Sequence, residues 1–389
     1  MQHNQPMKKT MINSIRLFVG VLFIFSGLIK ANDPLGLSYK MQEFFETWHM
    51  SALDNYTLAF SVVMIVFEIL AGVAVIIGWS MKVFAWLLLL LIIFFSFLTG
   101  YAVLSGKIKE CGCFGNCIPL QAMGSFLKDL FLLLLIAILF YFRNEIKPTI
   151  TKNGALVILS LTIILSFSIQ WYVLRYLPFV DCLPFKKGAN IPEKMKPPAG
   201  AVPDSTVIHF VYEKDKKTME YTADKLPADL DSSYTFIKRY DKLIRKGNAE
   251  PEIKDFSLIT SSGSDTTKQI LEMDGYKILL FSRFFPESNP NWNKAFTLLF
   301  TIARTKNIQV YFVTSNQTEA DHFLKENALD REIPVFGCDA TAIKTAARTD
   351  PTLYLLKKGT IADKWGYAAF VSAIHELAEL PVQNNSKPQ

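Results

Sequence analysis

Along this chain the apolar positions gather into five long blocks, nearly all of them before residue 180. They run from about Ile12 to Ile29, Leu58 to Trp79, Val83 to Leu104, Leu120 to Phe142 and Ala155 to Phe179. Each has about the 20 residues a helix needs to cross a hydrocarbon core, so five membrane spans are predicted. Trp79, Trp86, Trp171, Tyr172 and Tyr176 stand near block ends, where amphipathic rings settle at the interface. Beyond Phe179 the pattern changes. Pro184, Pro192, Pro197, Pro198 and Pro203 lie among Lys, Gly and Ala, the composition of a semi-rigid linker. Thr206–Tyr212 and Thr218–Thr222 flank a polar turn and predict a small β-hairpin, and a helix is expected over Ser233–Arg245. From Ile253 the order becomes β-α-β-α-β-β-α. Its strands are Lys277–Phe284 and Ile308–Thr314, then a hairpin of Thr352–Leu356 with Ile361–Trp365, and its last helix is Ala368–Leu380. The expected organisation is an α-helical membrane bundle of four spans over 1–145 and a fifth span over 146–180. A linker with hairpin and helix follows over 181–252, an α/β domain over 253–380 and a frayed polar tail over 381–389.

Composition supports a membrane protein: half of the 389 residues are hydrophobic and the mean hydropathy is +0.23. Charge suggests the orientation. Lys8, Lys9, Arg16, Lys82, Arg143, Lys147 and Lys152 fall on one side of the predicted spans, and Lys30, Lys40, Lys107 and Lys109 on the other. The richer set belongs in the cytoplasm, although Arg175, Lys186 and Lys187 narrow the margin. No cleavage signal follows the first block, so it reads as a retained anchor. Five spans then place everything after Phe179 outside a bacterial inner membrane, in the periplasm. The net charge of +6 is scattered, with no basic stripe interleaved with aromatics, which argues against nucleic acid. The partners expected are membrane lipid and an exported client or redox protein.

The candidate chemistry lies in sulfur. Three of the five cysteines stand in Cys111-Gly-Cys-Phe-Gly-Asn-Cys117, between the third and fourth blocks, and Cys182 follows the fifth. On the predicted topology all four face an oxidising compartment, where disulfides persist. Cys111 with Cys113 closes only a strained ring, which suits an exchangeable bond. Cys113 with Cys117, or either with Cys182, closes a relaxed one. Two pairs would make an electron relay; equally, one or two bridges would pin the loop as structural staples. The spacing is not that of a zinc site, so no metal is expected. Glu68, an acid in mid-span, should face the bundle interior. It would serve a quinone or a proton path, or pair with Arg16 or Lys30. Asp129, with Lys128, lies about two turns into the fourth span and would line the same cavity. Gln170 is expected to join helices, and Gly72 and Gly78 to let them approach closely. Cys338 reads as a small buried residue. His49 and His209 are isolated, and phosphate-loop, dinucleotide and zinc-protease signatures are absent.

Arg16-Leu-Phe-Val-Gly20, Phe25-Ser-Gly-Leu-Ile-Lys30, Asp33-Pro34, Glu68 with Gly72 and Gly78, and above all Cys111-Gly-Cys-Phe-Gly115 resemble the DoxX superfamily. Within it they resemble the methylamine-utilisation MauE family, over roughly residues 10–145. The resemblance implies disulfide formation in an exported protein beside a thioredoxin-like partner. A four-helix core like that of vitamin K epoxide reductase implies a membrane quinone as electron acceptor. The last third resembles the thioredoxin fold, with Ile253-Lys-Asp-Phe-Ser-Leu258 as its opening strand and Asp350-Pro-Thr-Leu353 at the place of the family's cis-proline. After Ile278-Leu-Leu-Phe-Ser282, where that family carries Cys-x-x-Cys at a helix start, this chain has Phe284-Phe-Pro-Glu-Ser-Asn-Pro-Asn-Trp292. Without a thiol there, the domain should bind a client and not exchange disulfides. The reading is a thiol–disulfide redox helper with Cys111, Cys113, Cys117 and Cys182 as its reactive groups. The alternative is a non-enzymatic scaffold with structural disulfides and a partner-binding domain.

Overall fold

The computed structural model describes residues 5–106, 108, 112, 114–118, 120–215, 217–227, 230–245, 247–283, 290–326 and 333–383. Helix α1 (Gln5–Asn32) is followed by a shorter α2 (Pro34–Thr47) and a 3-10 turn over Ser51–Tyr56. Then come α3 (Thr57–Ile77), α4 (Met81–Ser105), α5 (Ala122–Tyr141) and α6 (Lys152–Tyr176). Five helices among the described residues are long and apolar enough to cross a membrane, as the apolar blocks predict. Helix α2 was not expected. It opens where Asp33 caps the Gly36 amide at 3.0 Å and Pro34 occupies the first turn, where its missing N–H costs nothing. Helix α3 ends at Gly78, whose φ of +70° is the left-handed cap that glycine supplies.

Close packing of α1 on α3 depends on glycine. A side-chain carbon at Gly72 would lie 2.7 Å from the Gly20 carbonyl oxygen, and one at Gly27 would lie 2.5 Å from Ile69. The two backbones therefore approach as small residues permit in membrane helices.

After α6, residues 183–191 run onto the C-terminal half, where Phe185 and Ile191 are buried and a one-turn helix α7 (Ile191–Lys194) forms. Strands β1 (Ser205–Lys214), β2 (Lys217–Thr222) and β3 (Thr235–Arg245) make a small antiparallel sheet in the order β2-β1-β3. The hairpin is as expected, but the helix expected over Ser233–Arg245 is strand β3. Its apolar residues Phe236, Ile237, Tyr240, Leu243 and Ile244 imitate helical spacing. Pairing along β1, with His209 opposite Tyr240, decides otherwise.

The remaining elements are α8 (Thr267–Glu272), β4 (Tyr276–Phe281), α9 (Pro290–Thr305), β5 (Gln309–Thr314), α10 (Gln317–Glu326), β6 (Val335–Gly337), α11 (Ala340–Ala346), β7 (Thr352–Lys357), β8 (Thr360–Gly366) and α12 (Phe370–Glu379). They form a thioredoxin-like α/β unit around a sheet ordered β6-β5-β4-β7-β8. Strands β4, β5 and β6 are parallel, and β7 and β8 are antiparallel. Because successive side chains alternate, Ile278 and Leu280 of β4 face α9 and α12, while Leu279 and Phe281 face Phe256, Ile343 and Phe185. The expected opening strand at Ile253–Leu258 is reduced to a bridge from Ile259 to Gly337, with β6 holding the sheet edge. The Asp350–Pro351 bond is cis, as the resemblance implied. The expected frayed tail from Asn384 onward lies outside the described residues.

Candidate functional site

The loop between α4 and α5 turns on Gly112 and Gly115, whose φ values of +66° and +55° favour glycine. Of its three cysteines, Cys111 and Cys113 lie outside the described residues. Cys117 is bonded to Cys182, with Cα atoms 4.8 Å apart, which selects one of the pairings the spacing allowed. The segment carrying Cys182 is itself fastened to α1. Val180 N donates to Asn32 Oδ1 at 3.0 Å, and Asn32 Nδ2 donates back to the Val180 carbonyl at 2.8 Å. Both cysteines of the bridge are partly exposed.

On the other side of the same loop, Gly112 lines a cavity of about 670 Å³ between α1, α2, α3 and α4. Its walls are almost wholly apolar, with Val63, Met64, Phe67, Leu91, Phe94 and Phe95 among them; Lys30, Lys40 and Thr99 supply the polar groups. Glu68 and Asp129 stand one hydrogen bond behind this lining. Lys30 Nζ contacts both Glu68 carboxylate oxygens, at 2.7 and 2.8 Å, and Ser26 Oγ at 3.1 Å, with both side chains at most 4% exposed. Thr99 Oγ1 lies 3.0 Å from Asp129 Oδ2, and Lys128 donates to Asp129 Oδ1 at 2.6 Å. Of the partners considered for Glu68, Lys30 is the one found. Arg16 instead donates to the Val75 and Ile76 carbonyls at the end of α3. Lys30 is thus part of the bundle and not a loop charge, which lowers the count of basic residues at the cysteine end. Gln170 does join helices, donating to Val62 O at 3.4 Å.

The third part of the site was invisible in the sequence. Asp33, besides capping α2, accepts from Asn116 Nδ2 at 3.2 Å and from Arg348 Nε at 2.9 Å. Asn116 adjoins Cys117, and Arg348 precedes the cis-proline loop, so one carboxylate joins the cysteine loop to the C-terminal half. Tyr39 of α2 lies beneath three cations, with Arg283, Lys344 and Arg348 5.2 to 5.3 Å from its ring. Burial, more than any neighbouring charge, pushes the Tyr39 phenol above its usual pKa. Lys344 donates to Gln42 at 3.2 Å, and Asp350 accepts from Ser282 Oγ at 2.8 Å and the Arg283 amide at 3.1 Å. The end of β4 and the cis-proline loop are therefore turned toward α2. A polar cleft of about 380 Å³ between α2 and α11 reaches the same loop at Asn116. Cys338 is buried, and desolvation raises its thiol to about 11, as expected of an inert core cysteine. A lone aspartate before a proline gave no sign that it would meet an arginine from the far end of the chain.

Residues 8–142 match the family model of methylamine utilisation protein MauE. Residues 206–246, the three-stranded sheet, match that of a domain of unknown function, DUF8463. No curated protein matches the chain. Among solved structures, copper-bound ScoI from Arabidopsis thaliana is similar at 17% identity, over 32% of this chain and 97% of that one, with a TM-score of 0.24.

Proposed function

With a bundle of the MauE type over its first four spans, we propose that this protein is a thiol–disulfide redox helper for exported proteins. It would lie in a bacterial inner membrane with its N-terminus cytoplasmic and everything from residue 181 onward periplasmic. The observation that carries this reading is the position of one loop: Cys117 on one side is bridged to Cys182, while Gly112, between Cys111 and Cys113, lines the apolar cavity. A client dithiol would give two electrons and two protons to the Cys117–Cys182 disulfide, becoming a disulfide itself. The two thiols formed would reduce a Cys111–Cys113 disulfide by exchange, restoring the first bridge. The cavity's apolar walls would hold the ring and tail of a quinone. A quinone bound there would be the two-electron, two-proton acceptor. Glu68, through Lys30, and Asp129, through Thr99, would hold the protons. The C-terminal half, with no thiol where its fold family has one, would hold the client and not oxidise it.

Alkylation and mass shift of the cysteines in membranes, across a series of thiol–disulfide buffers, tests this. A bridge that titrates at about −120 to −230 mV and closes again on adding quinone supports the relay. A bridge that stays closed below about −300 mV rejects it. That result would favour a scaffold with a structural disulfide.

A further inference from the structure

At the end of the bundle opposite the cysteine loop, the start of α1 and the 142–151 segment enclose a second pocket, of about 590 Å³. Here α1, α4 and α6 begin and α3 and α5 end, so the pocket lies level with the membrane boundary. It is lined by Lys8, Lys9, Arg16 and Lys147 against one acid, Glu145. Lys8 engages that acid at 2.9 Å, leaving Lys9 and Lys147 with no carboxylate partner among the described residues. The walls are built and not merely exposed. Arg16 Nη2 donates to Ile76 O at 2.7 Å, Nε donates to Val75 O at 3.2 Å, and Nη1 donates to Asn13 at 3.2 Å. These bonds leave the guanidinium further N–H groups. The segment over the pocket is fixed by Thr149, whose N and Oγ1 both lie within hydrogen-bond reach of Ile77 O, at 2.9 and 3.1 Å. Gly78, with no side chain, lets Arg16 and the Lys147 carbonyl close in; a carbon there would lie 3.1 and 2.9 Å from them.

We infer that this pocket binds the phosphate of an anionic phospholipid. Uncompensated cations at headgroup depth attract such lipids, and basic pockets between helices hold their head groups. A phosphate diester offers the acceptor oxygens that Lys9, Lys147 and the remaining Arg16 N–H groups lack, while its acyl chains can follow the apolar outer surface of α1. The inference concerns neither the cysteines nor the cavity beside them, and stands whether or not the protein is a redox helper.

The test is native mass spectrometry of the full-length protein in detergent, titrated with phosphatidylglycerol, with phosphatidylcholine and with inorganic phosphate. Phosphatidylglycerol should bind well above phosphatidylcholine. The double variant K9Q/K147Q should weaken it about 30-fold, near the product of two surface-lysine contributions. The variant K82Q/K152Q removes the same charge at the same end but outside the pocket, and should leave binding within about twofold of the parent on the same scale. Arg16 stays untouched because it holds the end of α3. Equal losses in both variants, or equal binding of the two lipids, would overturn the site. Inorganic phosphate competing away the lipid at equal concentration would overturn its assignment to lipid.

Discussion

Lys30 and Glu68 face each other in the middle of a membrane bundle, and the cost of separating them gives the pair its meaning. Removing one partner of a buried pair strands the other charge, at about 3 to 5 kcal/mol, whereas replacing both with apolar residues comes out near neutral. E68Q should therefore sharply lower the unfolding temperature in detergent, and K30M/E68M should recover most of the loss. If E68Q unfolds like the parent, the pair is not structural and the proton-path reading gains. Cys338 makes a different point. Its thiol is raised from 9.0 to about 11 by burial, so its thiolate fraction at pH 8 is about 100-fold below that of an ordinary thiol. Iodoacetamide should label it at least that much more slowly than an unfolded control. The raised pKa means the fold favours the protonated thiol. This contribution is complete below pH 9.0 and is lost as the pH climbs through about 11.

Helices α1, α2, α3 and α4 enclose the cavity that Lys30 lines, and blocking it separates the two halves of the proposed relay. Met64 lies on the cavity wall, so M64W should fill the space while leaving the Cys117–Cys182 bridge in place. Re-oxidation by added quinone should fall at least tenfold with the non-reducing mass shift unchanged; unaltered re-oxidation would place the acceptor elsewhere. How far such elements can be read from sequence depends on what shapes them. The five spans were legible because burying about 20 apolar residues in lipid needs no tertiary partner. Strand β3 was not, since Phe236, Ile237, Tyr240, Leu243 and Ile244 carry a helical period and only β1 overrules it. Helix α2 is half-buried and short, and its one clear signal was the Asp33-Pro34 start. The Lys30–Glu68 pair and the Cys117–Cys182 bond were each among the expected alternatives, but choosing between them needed the packing of Gly20, Gly27 and Gly72, and the Asn32–Val180 clasp.

Across the whole molecule, Asp33 and Arg348 are 315 residues apart in sequence and 2.9 Å apart in space, with side chains only 12% and 7% exposed. No local pattern announces such a contact, because its two ends belong to units that would each fold around their own cores. Its consequence is mechanical. The cis-proline loop is pressed on Tyr39 and Gln42, and the same carboxylate holds Asn116 beside Cys117, so one contact ties the C-terminal half to both α2 and the cysteine loop. Truncating one member of a buried, hydrogen-bonded charge pair costs about 2 to 5 kcal/mol, much of it from stranding the other. R348Q should accordingly raise amide exchange together in α2, in α11 and in the 114–118 loop, while exchange in the α9 and α12 core stays at parent levels. D33N should reproduce that pattern, because it removes the same bond from the other side. The exchanged pair D33R/R348D should restore only part of the protection, since the arginine at position 33 can no longer cap α2 or accept from Asn116. If R348Q loosens α11 alone and leaves α2 and the cysteine loop unchanged, the two halves are held by Tyr39 and its other cations, and Asp33 serves α2 only.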